Sequence, residues 1–288
     1  MIAGGGATGG AALLVGDVTR ERPVGVFDSG VGGLSVFREV RRELPAEDLL
    51  YVADSGYAPY GDRSQESILG RATAVVSFLV HEGAKAVVVA CNTVTGLAID
   101  TLRTRFSIPL IAIEPGVKPA ASGTASGVVG VLATAQTLSS ARFSRLVAEC
   151  GDRVRILVQP CPGLVEHVEK GDVSSAAVRA LVAQYVGPLL EEGADTLVLG
   201  CTHYPFLDGV IRAVAGPTVS IIDPAAAVAR ELRRRLQGEG VSSEANRPGT
   251  DRFWTSGSVR DVQAVMSQLL TRQVAVQPLP AGFCLEPR

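Results

Sequence analysis

Short apolar runs that close on Gly, Asn, Ser or Asp alternate along this chain with longer stretches of helical periodicity, the rhythm of βα units around a parallel sheet. Two of these units match in kind at almost every position. Glu82-Gly-Ala-Lys-Ala-Val-Val-Val-Ala-Cys91-Asn-Thr93 precedes Glu192-Gly-Ala-Asp-Thr-Leu-Val-Leu-Gly-Cys201-Thr-His203 by 110 residues, so each cysteine closes a buried strand. Gly25-Val-Phe-Asp28 pairs in the same way with Gly130-Val-Leu-Ala133, and Ile111-Ala-Ile-Glu114-Pro115 with Ile221-Ile-Asp223-Pro224. Matched strands in one order predict an α/β fold of two pseudo-symmetric lobes, each a mostly parallel sheet flanked by helices. The expected division is a flexible extension over 1–23, a first lobe over 24–115 plus 226–288, and a second over 116–225.

Ligands of open parallel sheets sit beyond the carboxyl ends of the strands. Asp28-Ser29, Cys91-Asn92-Thr93, Thr134 and Cys201-Thr202-His203 all fall at such ends, which predicts an active site in the cleft between the lobes, with both thiols facing it. Two acid/base groups on opposite sides of one carbon are what a proton transfer between its faces requires. A thiol serves in either role, because its ordinary pKa lies near 8.5. The residues after each cysteine, Asn92-Thr93 and Thr202-His203, are of N-cap type, so helices opening there are expected to lower the thiol pKa values. Cys150, Cys161 and Cys284 read as small buried hydrophobes.

Composition narrows the classes. The chain has 288 residues, 47% of them hydrophobic, enough to bury a large core. With 27 basic against 29 acidic side chains and no basic block, a nucleic-acid partner is not expected. Five widely spaced cysteines without a C-x-x-C pair fit reduced thiols in a cytoplasm. The first residues lack a basic n-region, and the run Ala11–Val15 is too short to span a bilayer, so neither export nor a membrane partner is expected. His203 lies two residues after Cys201, which is not a zinc spacing, so no metal site is expected. Lys85 before a strand and Lys170 at a helix end are badly placed for a Schiff base, so no cofactor is expected either.

Glycines 30, 32 and 33 lack the full dinucleotide fingerprint and read instead as a tight turn whose free amides, with Ser29, bind a carboxylate. Asp28 reads equally as a helix N-cap. Pro59-Tyr60-Gly61 reads as a turn forming a rigid wall, and Asn92, Thr93, Thr134 and Thr202 as caps or as polar contacts for a small ligand.

Asp28-Ser-Gly-Val-Gly-Gly33, Pro59-Tyr60-Gly61, Cys91-Asn-Thr93, Ile113-Glu-Pro115 and Gly200-Cys-Thr-His-Tyr-Pro205, in this order, together resemble the glutamate racemases. The resemblance runs from about residue 24 to about residue 270. It implies interconversion of L- and D-glutamate without pyridoxal phosphate or metal, supplying D-glutamate for peptidoglycan. By the same resemblance Cys91 deprotonates D-glutamate and Cys201 deprotonates L-glutamate, assisted by Asp28, Glu169 and His203. Val165-Glu-His-Val-Glu169 offers two carboxylates, Glu166 and Glu169, and the upstream Cys161-Pro162 selects the second. The implied substrate contacts are Asp28, Ser29, Pro59, Tyr60, Gly61, Cys91, Asn92, Thr93, Thr134, Cys201, Thr202 and His203, in a protein expected to form a homodimer. Departures are Val131, where many relatives carry a second threonine, and Val94-Thr95 in place of a small pair. The alternative is a racemase of the same superfamily acting on aspartate or a related amino acid.

Overall fold

The computed structural model describes residues 19–151 and 154–284. Among these, four strands come first: β1 (Val24–Asp28), β2 (Leu49–Ala53), β3 (Ala86–Val89) and β4 (Leu110–Ala112). β5 (Val128–Ala133), β6 (Arg155–Pro160), β7 (Thr196–Gly200) and β8 (Ser220–Ile222) follow, and β9 (Asp251–Thr255) and β10 (Val276–Pro278) close the chain. They form two all-parallel sheets, ordered β10-β9-β2-β1-β3-β4 and β6-β5-β7-β8. The order β2-β1-β3-β4 is repeated as β6-β5-β7-β8, so the sequence repeat is also a repeat of topology. Register agrees: Gly25 faces Val87, and Gly130 faces Leu197.

Central strands covered on both faces read as unbroken apolar runs, which is why β1, β2, β3 and β7 are buried throughout. The matched glycines have a packing reason. A side chain at Gly25 would press on Leu79 of the helix Gln65–His81, and one at Gly130 on Leu189 of the helix Ala176–Glu191. Leu79 and Leu189 are themselves 110 residues apart, so the helix–strand contact is duplicated with the strands. β6 is an exposed edge, and β4 and β8 are short, as sheet borders usually are.

One apolar cluster runs through both lobes, from Val26 and Tyr51 through Leu132 and Val165 to Leu197 and Leu232. Separate clusters cover the outer face of each sheet. Residues 1–18 of the expected extension lie outside the described residues. Thr19–Pro23 lie against the first lobe: Lys85 Nζ donates to Arg20 O at 2.8 Å, Lys85 N donates to Pro23 O at 2.9 Å, and Arg20 pairs with Glu244. No helix among the described residues is long and apolar enough to cross a membrane.

Candidate active site

The carboxyl ends of β1, β3, β5 and β7 converge on one pocket between the sheets. Its walls are Ser29, Pro59, Tyr60, Gly61, Cys91, Asn92, Thr93, Thr134, Cys201, Thr202 and His203, joined by Thr137, Val165 and Gly200. Every substrate contact expected from the sequence is therefore on this wall except Asp28, which lies fully buried just behind it. The pocket is small, with a cavity volume of about 20 Å³, room for about one water molecule. Both polar atoms of the Asn92 side chain, and Oδ1 of Asp28, are buried without a hydrogen-bond partner among the described residues. Unpartnered buried polar atoms cost about 1–3 kcal/mol each, so these groups stand ready for a polar ligand.

Cys91 follows β3 and acts as the N-cap residue of the six-residue helix Asn92–Leu97. Its Sγ lies 3.6 Å from Ser29 Oγ. The expected lowering of its pKa is overturned: burial, reinforced by the Asp28 charge, pushes this thiol up, and the short helix and the Ser29 hydroxyl do not offset it. Asp28 is also raised, chiefly by burial, against the opposing pull of His203 and the Gly33 amide. Its Oδ2 accepts from Gly33 N at 2.7 Å, immediately before the helix Leu34–Glu43, and from Thr202 Oγ1 at 3.3 Å across the cleft. Asp28 therefore stabilises a helix start and also links the two lobes.

Cys201 follows β7, but no α-helix opens directly behind it. A turn leads into the 3₁₀ segment Tyr204–Leu207, and this brings His203 back onto the thiol. His203 Nδ1 lies 3.5 Å from Cys201 Sγ, and its Nε2 lies 2.6 Å from Glu169 Oε1. Burial alone would lower the imidazole pKa, but the bonds to Cys201 and Glu169 outweigh it and hold His203 well above its ordinary value. Of the two carboxylates, it is Glu169 that meets His203. Glu169, at the end of the helix Leu164–Glu169, also accepts from Val31 N at 2.7 Å and Ser55 Oγ at 3.3 Å. Glu166 makes none of these bonds, and both carboxylates line a neighbouring pocket.

The glycine turn does something other than expected. The amides of Val31 and Gly33 are already bonded to Glu169 and Asp28, so they are not free for a ligand carboxylate. Glycine is needed here for close approach: a side chain at Gly30 would collide with the Glu169 carboxylate, and one at Gly32 with the His203 ring. The turn holds two site residues of the other lobe against the first.

Two features escaped the sequence reading. Thr137 joins Thr93 and Thr134 in a cluster of hydroxyls, with Oγ–Oγ distances of 2.9–3.4 Å. Its one sequence signal is the spacing Thr134-x-x-Thr137, and Thr134 Oγ1 does accept from Thr137 N as an N-cap. Asp54 and Arg71 form a fully buried ion pair beneath the Pro59–Gly61 wall, foreshadowed only by an acidic residue at the carboxyl end of β2. Cys161 is buried as expected, whereas Cys150 and Cys284 are partly exposed. His167 pairs with Asp172 at 2.8 Å.

Residues 24–232 match the family model for Asp/Glu/Hydantoin racemase. The chain is 54% identical to the glutamate racemase of Methylococcus capsulatus over 263 residues, 91% of this chain and 97% of that one. It is 51% identical to the glutamate racemase of Ectopseudomonas mendocina, covering 89% and 97% of the two chains. Among solved structures, a glutamate racemase isoform of Bacillus anthracis superposes with a TM-score of 0.82 at 35% identity, over 91% of this chain and 98% of that one. The Francisella tularensis glutamate racemase, solved with D-glutamate, gives 0.79 at 28% identity, over 91% and 98%.

Proposed function

The chain belongs to the Asp/Glu/Hydantoin racemase family and within it to the glutamate racemases, and from that premise we propose that it interconverts L- and D-glutamate with two thiols and no cofactor. The observation that carries this reading is the placement of Cys91 and Cys201 at equivalent strand ends of a duplicated unit, on the wall of one pocket. A thiolate on one side removes the α-hydrogen, and the thiol on the other returns a proton to the opposite face.

Burial and Asp28 keep Cys91 as a neutral thiol. Glutamate brings an ammonium into the pocket, and a cation beside these groups favours their charged forms. Substrate binding thereby favours the thiolate that burial and Asp28 disfavour. On the other side, His203, held by Glu169, can hand a proton to Cys201 or take one from it across 3.5 Å. Asn92, Thr93, Thr134 and Thr202 bind the ammonium and the carboxylates, against the backbone wall of Pro59–Gly61. Cys91 acts on D-glutamate and Cys201 on L-glutamate.

The product D-glutamate feeds peptidoglycan synthesis in the cytoplasm, and the working form is a homodimer. The lobes divide at 24–115 plus 226–288 and 116–225, with 1–23 preceding the first.

Incubation with L-glutamate in deuterated water tests the reading, with α-deuterium measured by NMR in each enantiomer. Deuterium appearing in D-glutamate is the expected result. Absence of α-exchange from both glutamate enantiomers overturns the proposal, and exchange of aspartate alone reassigns the substrate.

A further inference from the structure

Beneath the pocket wall lies a buried polar cluster that takes no part in the chemistry above. Arg71, on the helix Gln65–His81, is fully buried and forks onto Asp54, Nε to Oδ2 at 2.9 Å and Nη2 to Oδ1 at 2.8 Å. The Tyr60 hydroxyl donates to the same Oδ2. The third arm of the guanidinium, Nη1, donates to Phe283 O at 3.0 Å, and its Cζ lies 3.9 Å from the centre of the Tyr57 ring. One cation therefore joins the end of β2, the wall loop and the carboxyl-terminal 3₁₀ turn. A bidentate guanidinium sets orientation as well as charge, which a lysine cannot do.

The loop held in this way touches the rest of the site at three points. Asp54 N donates to Asp28 O at 3.0 Å, Ser55 Oγ donates to Glu169 Oε2 at 3.3 Å, and Gly61 faces Thr134 across the cleft. Tyr60 sends its side chain down to Asp54 while the loop that carries it forms the pocket wall. We infer that Arg71 is a positioning residue for substrate binding: through Asp54 and Tyr60 it fixes the Pro59–Gly61 wall at the distance glutamate needs from the thiols. This rests on the glutamate racemase reading. It assigns to the loop a role in holding the substrate and leaves proton transfer to the cysteine pair.

Arg71→Lys keeps the charge and loses the fork, and Tyr60→Phe keeps the ring and loses the tether. Steady-state racemisation of each enantiomer, with thermal unfolding of the same samples, tests the inference. KM for both enantiomers is expected to rise about tenfold, and by more than kcat falls, the split expected when substrate binding is lost and not a contact made only in the transition state. If Arg71→Lys fails to fold, Tyr60→Phe carries the test, because removing one hydroxyl leaves the ion pair in place. A lowered melting temperature with unchanged KM in the folded variants assigns Arg71 a structural role only and overturns the inference. Wild-type protein that does not turn over glutamate overturns the functional reading, and this inference with it.

Discussion

Cys91 and Cys201 stand at the same place in two copies of one βα unit, yet their surroundings differ in charge and in reach. Cys91 has a serine hydroxyl and a buried carboxyl nearby, and its thiol is held up. Cys201 has an imidazole bonded to a carboxylate that lines the neighbouring pocket. At the matched positions, Asn92 corresponds to Thr202, Thr93 corresponds to His203, and Asp28 has only Ala133 as its counterpart. Duplication supplied the equivalent positions of the two thiols, and divergence at a few loop positions gave each thiol different polar neighbours.

The largest test breaks the comparison outright. Cys91→Ala and Cys201→Ala should each lower racemisation by about 10³-fold or more, the scale of a lost acid/base group. Circular dichroism of glutamate follows the reaction, and near wild-type turnover in either variant sinks the two-thiol mechanism.

Asp28→Asn and Glu169→Gln sharpen it, each with an expected loss in kcat of about 10²-fold. Because the enantiomers are equal in free energy, kcat/KM must fall equally in both directions whichever side is damaged. The asymmetry shows elsewhere: Asp28→Asn should enlarge the α-deuterium isotope effect more with D-glutamate, and Glu169→Gln more with L-glutamate. Equal changes would show that neither group serves one thiol. The pH profile adds a sign. His203 has a raised pKa, so its protonated form and the stability from its pairing persist at neutral pH and are lost as pH rises through the folded value. Removing the Glu169 charge should move that alkaline limb to lower pH.

The smallest tests probe the opposite end of the same strands, where the repeat places Lys85 against Asp195. Lys85 is buried and pairs with Glu47 at 2.6 Å. Lys85→Met should cost about 3–5 kcal/mol in denaturant unfolding, since it strands a buried carboxylate. Asp195 is held down at about 2, although burial alone would raise it, by Thr124 Oγ1 and the amides of Ala125 and Ser126. Its contribution is present above pH 4 or so and fades as pH falls through the folded value. Asp195→Asn should cost about 1 kcal/mol at pH 7 and flatten the acid limb of stability. An unchanged limb would assign the acid sensitivity to other carboxylates.

Much of this was legible in the chain because strands and repeats are local. An apolar run ending in Cys-Asn-Thr or Cys-Thr-His states its own secondary structure, and a 110-residue offset needs no coordinates to be noticed. The carboxylate choice was not legible that way, because Glu166 and Glu169 differ only in what a short helix aims at Val31 and His203. Nor was the Cys91 pKa: the helix start was local and visible, while the burial that overrules it is tertiary and the Asp28 charge comes from 63 positions away. The Asp54–Arg71 pair and the engaged amides of Val31 and Gly33 have the same character.

By itself the sequence determined the α/β class, the duplication, the pair of equivalent thiols and the family motifs, all carried by periodicity and short-range spacing. Only the tertiary structure decided which carboxylate meets His203, why glycines stand at 30 and 32, and what holds the Pro59–Gly61 wall. Those outcomes depend on burial and on contacts between groups distant in the chain, and electrostatics in a low-dielectric interior follows that three-dimensional neighbourhood.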